Sequence, residues 1–204
     1  MVEDSTPSPD LLIAAFDLIA EEGWSRLSLV AAARRAGVEP GAAYRELRSK
    51  GALLGALSRR LDEAMLEIEA AELTGLPPRD RVFELLMRRL EALVPFRPGL
   101  ERLARDAGRD PCLLLATVCR LDRSLAWLQD AAGLRNSGVR ARLARQALAA
   151  AYLQAMRVWR KDTAPDLGRT MVELDKQLRR VQAFAGLREP RSRPGAPEAA
   201  PETA

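Results

Sequence analysis

Residues 27–54, LSLVAAARRAGVEPGAAYRELRSKGALL, decide the fold. Ser28 has the side chain of a helix N-cap, and Val30, Ala31, Ala32 and Ala33 follow as helix interior. Gly37 stops that helix, because a glycine takes the left-handed conformation at a helix C-terminus. Pro40 suits the first position of another helix, where no N–H is needed, and that helix runs to about Leu47. Ser49 caps a further helix that opens with Lys50. Two short helices around a tight glycine turn form a helix-turn-helix, which can put its second helix in a DNA major groove.

The same punctuation divides the rest of the chain and predicts nine helices. The first spans about Pro9 to Glu22, with Ser8 as cap and Gly23 as stop. The second and third are the pair just described. The fourth runs from Lys50 to about Leu73, before Gly75 and Pro77-Pro78. The fifth spans about Arg79 to Val94, and the sixth about Pro98 to Asp106. The seventh starts behind Asp110-Pro111 and ends before Gly133. The eighth covers about Ser137 to Lys161, and the ninth about Asp166 to Leu187. Alanine, leucine and arginine dominate and aromatics are 4%, so the expected class is all-α with a core of Leu, Ala, Val and Met. The expected organisation is a head over 9–60, a helical body over 61–187 and a disordered Pro- and Ala-rich tail over 188–204.

Charge is unevenly placed. Residues 24–60 hold eight bases against Glu39 and Glu46, while residues 1–23 hold six acids and no base, and residues 61–76 five acids and no base. A basic stretch centred on a helix-turn-helix is the footprint phosphate binding requires, although an arginine-rich solvated surface reads the same way. The chain has no histidine, which removes Ser-His-Asp and Cys-His catalysis and most zinc sites. No phosphate-cradling glycine loop or carboxylate cluster is visible, so neither enzyme activity nor a cofactor is expected. No run of 18 apolar residues and no signal-like N-terminus occurs, making the cytoplasm the expected location. Cys112 and Cys119, seven apart on one helix, stand about 10 Å apart along its axis, too far to bridge, and read as buried thiols.

The ordering of residue types resembles one family. An amphipathic helix, LLIAAFDLIAEEGWSRLSL, leads into A-x-x-A-G-V-x-x-G-x-x-Y from Ala33 to Tyr44, and Ser49-Lys50 with Ala-Leu-Leu completes the pattern. This resembles the N-terminal domain of TetR/AcrR-type transcriptional regulators over roughly residues 9–60. The resemblance implies a repressor that binds a double-stranded operator as a homodimer and is modulated by a small molecule. Within the head, small Gly41 and Ala42 beside Pro40 permit close approach to a groove, as does Ala43, and Tyr44 and Arg45 reach phosphate or base edges. Ser28 and Lys50, each at a helix start, are phosphate candidates. Tyr44 also reads as a packing residue that closes the head. Glu39 and Glu46 depart from the family pattern and bring negative charge to where phosphates would lie.

In the body, Phe83, Met87, Leu90, Trp127, Met156 and Trp159 are candidates for a pocket that takes a hydrophobic effector or lipid, although each alone reads as core packing. The ninth helix carries a heptad-like seam of Leu167, Met171, Leu174, Leu178, Val181 and Ala185. Ala144, Ala147, Ala151 and Ala155 give the eighth helix a small-residue face. Spacing leaves open whether the seam meets its own domain or a second subunit, and the family resemblance implies the second. A rival resemblance covers VWRKDTAPDLGRTMVELDKQLRR, through Asp162 and Pro165-Asp166. It is similar to the TetR-fold lipid-binding accessory protein of ubiquinone biosynthesis. That alternative implies a carrier that binds no DNA and lays its ninth helix on a membrane surface.

Overall fold

The structure is a computed structural model that describes residues 8–134, 137–185 and 187. Among these residues it is all-helical, with ten α-helices and a short 3-10 turn. The expected disordered tail, 188–204, lies outside the described residues.

The head is built on capped helix starts. In α1 (Pro9–Glu22) the Ser8 hydroxyl accepts from the Leu11 amide. Ser28 does the same for α2 (Leu29–Arg35) and Ser49 for α4 (Lys50–Leu66). At the turn, Gly37 has φ +69°, the Val38 amide donates to Ala33 O and the Gly37 amide to Arg34 O. That pair of bonds is a Schellman closure, and it aims the chain directly into α3 (Pro40–Glu46). Ala32 and Ala33 of α2, with Ala43 and Leu47 from α3, bury against Leu11, Leu12 and Ala15 of α1.

The expected fourth helix breaks. α4 ends at Leu66, and a separate turn, α5 (Ala70–Leu73), follows. Glu69 and Glu72 close a reciprocal capping box there, which restarts the helix. Then come α6 (Pro78–Ala92), the 3-10 turn Val94–Phe96, α7 (Arg97–Ala107), α8 (Pro111–Ala131), α9 (Gly138–Trp159) and α10 (Gly168–Ala185). α4 crosses from the head into the body, where it packs on α6 and α8.

A second joint ties head to body. α7 lies against α1 so closely that a Cβ on Gly99 would stand 2.4 Å from Phe16 O. Phe16 and Phe96 meet edge to face at 5.3 Å. The Trp24 amide donates to Asp106 Oδ2 at 2.8 Å, beyond the end of α1.

The body core corrects two expectations. Leu167, Leu174 and Leu178 are 3%, 0% and 0% exposed within the single chain, because α10 lays its seam on α9 and α6. Ala151 and Ala155 are buried on the facing side of α9, and Ala147 and Val181 are half-buried on the same core. Of the seam residues with described side chains, only Met171 is outward, at 40%. So Leu167, Leu174 and Leu178 belong to the fold of one chain and are covered from any membrane surface, while the side chain of Ala185 lies outside the described residues. The cysteines are corrected as well. Cys112 and Cys119 are free and exposed, because the first half of α8 leaves much of its circumference uncovered. Among the described residues, no helix is long and apolar enough to cross a membrane.

The α9–α10 junction is fixed by a buried carboxylate. Asp162 Oδ2 accepts from the Thr170 hydroxyl at 2.7 Å and the Thr170 amide at 2.9 Å, and both residues are buried. Burial pushes the Asp162 carboxyl up, but the Thr170 donors and the Ala164 amide outweigh it and hold the group below its ordinary value. The Arg97 guanidinium donates to Asp162 O and stacks 4.5 Å over Trp159. Leu167, in the same loop, is held at φ +50°, a left-handed conformation that a leucine tolerates only when its surroundings fix it.

Candidate nucleic-acid interface

The exposed face of α3 follows from what its other face must bury. Ala43 and Leu47 point into the head, so Ala43, one of the small residues expected to meet a groove, is core. Tyr44 and Arg45 then fall on the outside, with Tyr44 66% exposed. Tyr44 therefore does not close the head; Ala43 and Leu47 do. Pro40 is exposed, and Gly41 and Ala42 are half-exposed on the first turn. Ser28 stands exposed at the start of α2, and Val30 is half-exposed close to Tyr44 and Arg48 across a groove of about 80 Å³.

The carboxylates resolve into distinct roles. Glu39 is the N-cap of α3, and its Oε2 accepts from the Ala42 amide at 2.9 Å. The Gly41 and Ala42 amides hold the Glu39 carboxyl below its ordinary value. It thus occupies donors that a phosphate would otherwise take. Glu46 turns the other way, and its Oε2 accepts from the Ser8 amide at 3.2 Å, tying the end of α3 to the start of α1.

Not every base faces outward unpaired. Arg35 forks onto Glu21 with two 2.8 Å bonds. Lys50 Nζ donates to Trp24 O at 3.2 Å and Ser25 O at 2.8 Å, so it clasps the α1–α2 connection. Lys50, a phosphate candidate by its place at a helix start, thus also holds the fold. Arg34, Arg45 and Arg48 are exposed and carry no hydrogen bond or ion pair among the described residues. Arg34 and Arg48 were recognisable in the sequence only as part of the charge cluster.

The six candidate effector residues do not share one cavity. Met87, Leu90 and Trp159 are core at 4%, 0% and 0% exposure, and Phe83 is half-buried against it. Met156 lines a cavity of about 170 Å³ among α4, α6, α7, α8 and α9. Trp127, 57% exposed, lines a separate cleft of about 410 Å³ between α4 and α8. Sequence reasoning missed the leucines of the cavity, Leu54, Leu57, Leu61, Leu100 and Leu121, because leucine is everywhere in this chain. The buried Arg89 of that cavity pairs with Asp62, which lines the cleft, and Asp62 Oδ2 also accepts from the Ser124 hydroxyl at 2.9 Å. Burial pushes the neighbouring Tyr152 hydroxyl up, against the pull of the Arg89 charge. Among the described residues no group of three or more acidic or cysteine side chains could hold a metal ion.

Residues 11–57 match the family model of the bacterial regulatory proteins of the tetR family. A TetR transcriptional regulator from Nitrosomonas europaea superposes with a TM-score of 0.67 at 23% identity, covering 84% of this chain and 95% of that one. A TetR transcriptional regulator from Rhodococcus sp. RHA1 superposes with a TM-score of 0.58 at 18% identity, covering 84% and 93%. No curated protein matches the chain in sequence. The head is a TetR-type helix-turn-helix domain, and the described residues share the fold of those two regulators.

Proposed function

We propose, for a chain whose head is a TetR-type helix-turn-helix domain, that it is a transcriptional repressor that binds a palindromic operator as a homodimer. The observation that carries this reading is the surface around α3, where Tyr44 and Arg45 are exposed on its outer face and Arg34 of α2 and Arg48 beyond the end of α3 carry no ion pair among the described residues. Glu39 caps α3, so phosphate contact falls to these side chains and to Ser28. Lys50 remains a phosphate candidate at the start of α4, in addition to its clasp on the backbone.

The second chain would meet the outer face of the α9–α10 hairpin. There Val139, Leu143, Gln146, Ala150, Leu153 and Arg157 recur at spacings of four and three, all exposed. Met171 and Val172 of α10 are exposed as well. This stripe supports pairing better than the α10 seam, which the chain already covers. A small molecule with an apolar body, seated in the helical body, would shift the dimer between DNA-competent and incompetent forms.

Selection from a random duplex library with the purified chain, repeated at two salt concentrations, tests the reading. A two-fold symmetric site should emerge, with half-sites about one DNA turn or more apart. Arg45→Ala should weaken binding to that site and lower its salt slope by about 1. No enriched site, or an unchanged slope, would overturn the regulator reading. Sedimentation of wild type and Leu143→Glu tests the dimer separately, with the variant expected to be monomeric at micromolar concentration.

A further inference from the structure

The cavity and the cleft between α4 and α8 are neighbours with a shared wall, since Ser58 and Arg120 line both. Their linings differ in kind. The cavity is walled by leucines and Met156, with Arg89 and Tyr152 as its polar residues of note. The cleft holds Arg59, Arg120 and Arg123 against Asp62 and Glu63, with Trp127 at its edge. Asp62 is already spent on Arg89 and Ser124, so Glu63 alone is left to balance three guanidiniums.

Those guanidiniums converge on open space. A Cβ built on Gly55 would lie 3.9 Å from both Arg59 Nη1 and Arg120 Nε, so two like charges stand over a position that has no side chain. Arg120 is held there by the Ala116 and Gly51 carbonyls. Arg123 carries no hydrogen bond or ion pair among the described residues. Arg59 Nε is buried without a partner, and so is Nε of Arg89, a residue only 5% exposed. What the cleft lacks is a counter-ion, since Arg59, Arg120 and Arg123 form no ion pair among the described residues, and a carboxylate would supply one because its two oxygens match the guanidinium fork.

We propose that cavity and cleft form one site for an amphipathic anion. Its carboxylate sits between Arg59, Arg120 and Arg123, and its apolar chain passes Ser58 into the leucine cavity beside Met156. A cation is repelled by the cleft. A neutral hydrocarbon leaves the guanidiniums unanswered, and a small hydrophilic anion leaves the cavity empty. The site names the chemical class of the effector in the regulator reading, and its regulatory consequence rests on that reading.

Titration calorimetry of the full chain with sodium decanoate, 1-decanol and decylammonium, without DNA, tests the site. Decanoate should bind saturably at one per chain, at least tenfold more tightly than the other two, and should change the fluorescence of Trp127 at the cleft edge. Arg123→Gln and Arg59→Gln should each weaken decanoate about tenfold and leave decanol unchanged. Met156→Trp, which fills the apolar arm, should weaken both. Arg123 is exposed, so its variant tests the site even if Arg59→Gln misfolds. Absent decanoate binding, equal binding of decanol, or unchanged affinity in Arg123→Gln would each overturn the proposal. Failure here leaves operator selection untouched, and failure of operator selection leaves decanoate binding measurable.

Discussion

Head and body use polar groups in opposite ways. In the head, polar side chains finish helix ends: Ser8, Ser28, Glu39 and Ser49 each accept an amide of the helix they precede. These residues sit at or near the surface, and each contributes little. In the body, polar groups gather in buried sets, Arg89 and Ser124 on the half-buried Asp62, and Thr170 on Asp162. There each loss leaves a partner stranded in a dry interior. The difference teaches that the head's helix starts are specified locally along the chain, whereas the body relies on polar groups shut off from water, one set of which, Asp62 with Arg89 and Ser124, joins distant segments.

The sharpest break of that contrast is Leu174→Arg. Leu174 is 0% exposed, and a charge there has no partner, so the expected loss is more than about 4 kcal/mol and the body should lose cooperative unfolding in urea. Dissociation into folded monomers would instead show that the seam is an interface after all. Next comes Asp162→Ala, which strands the Thr170 hydroxyl and amide and should cost about 3 kcal/mol by denaturant titration. The folded Asp162 carboxyl lies below its ordinary value, so its contribution is present above the ordinary carboxylate range and is lost as pH falls through the folded value. Wild-type stability should therefore drop on acidification more steeply than that of the variant.

Smaller effects belong to the head. Ser49→Ala removes one cap and Lys50→Ala one clasp, and each should cost about 1 kcal/mol, read as a lower melting temperature. A cost at Ser49 equal to that at Asp162 would erase the contrast between the two regions. Arg45→Ala should change stability by less than about 0.5 kcal/mol, since the exposed side chain makes no hydrogen bond or ion pair among the described residues.

The same contrast sets how much was legible in the sequence. Ser8, Ser28, Ser49 and Asp110 were readable as caps because the chemistry of a cap lies within four residues. The break after Leu66 also had a local signal, Glu69 and Glu72 at capping-box spacing, masked by an apolar pattern that runs through it. The seam of α10 was visible, but periodicity records that a face is covered and not by whom. The stripe on α9 went unread because Gln146 and Ala150 dilute it. In the candidate site, the outward placement of Tyr44 and Arg45 is set by helical spacing and Glu39 is a local cap read only for its charge, whereas the roles of Glu46 and Lys50 depend on what three-dimensional packing brings beside them. The convergence of Arg59, Arg120 and Arg123 joins residues some sixty positions apart, and no short window could show it.

Gly99 leaves α7 in direct contact with the backbone of α1, the arrangement of a lever on its fulcrum. With no side chain between α7 and Phe16, there is no compressible layer to absorb displacement. Leu100 and Leu103, on the next turn of α7, form part of the cavity wall, and Leu54, Leu57 and Leu61 of α4 form another part. An occupant that spreads that wall pushes on both joints at once, and α1 carries the push to the floor on which α3 rests. Replacing Gly99 by alanine would insert a shim at the fulcrum and shift α3 without altering any residue on its exposed face.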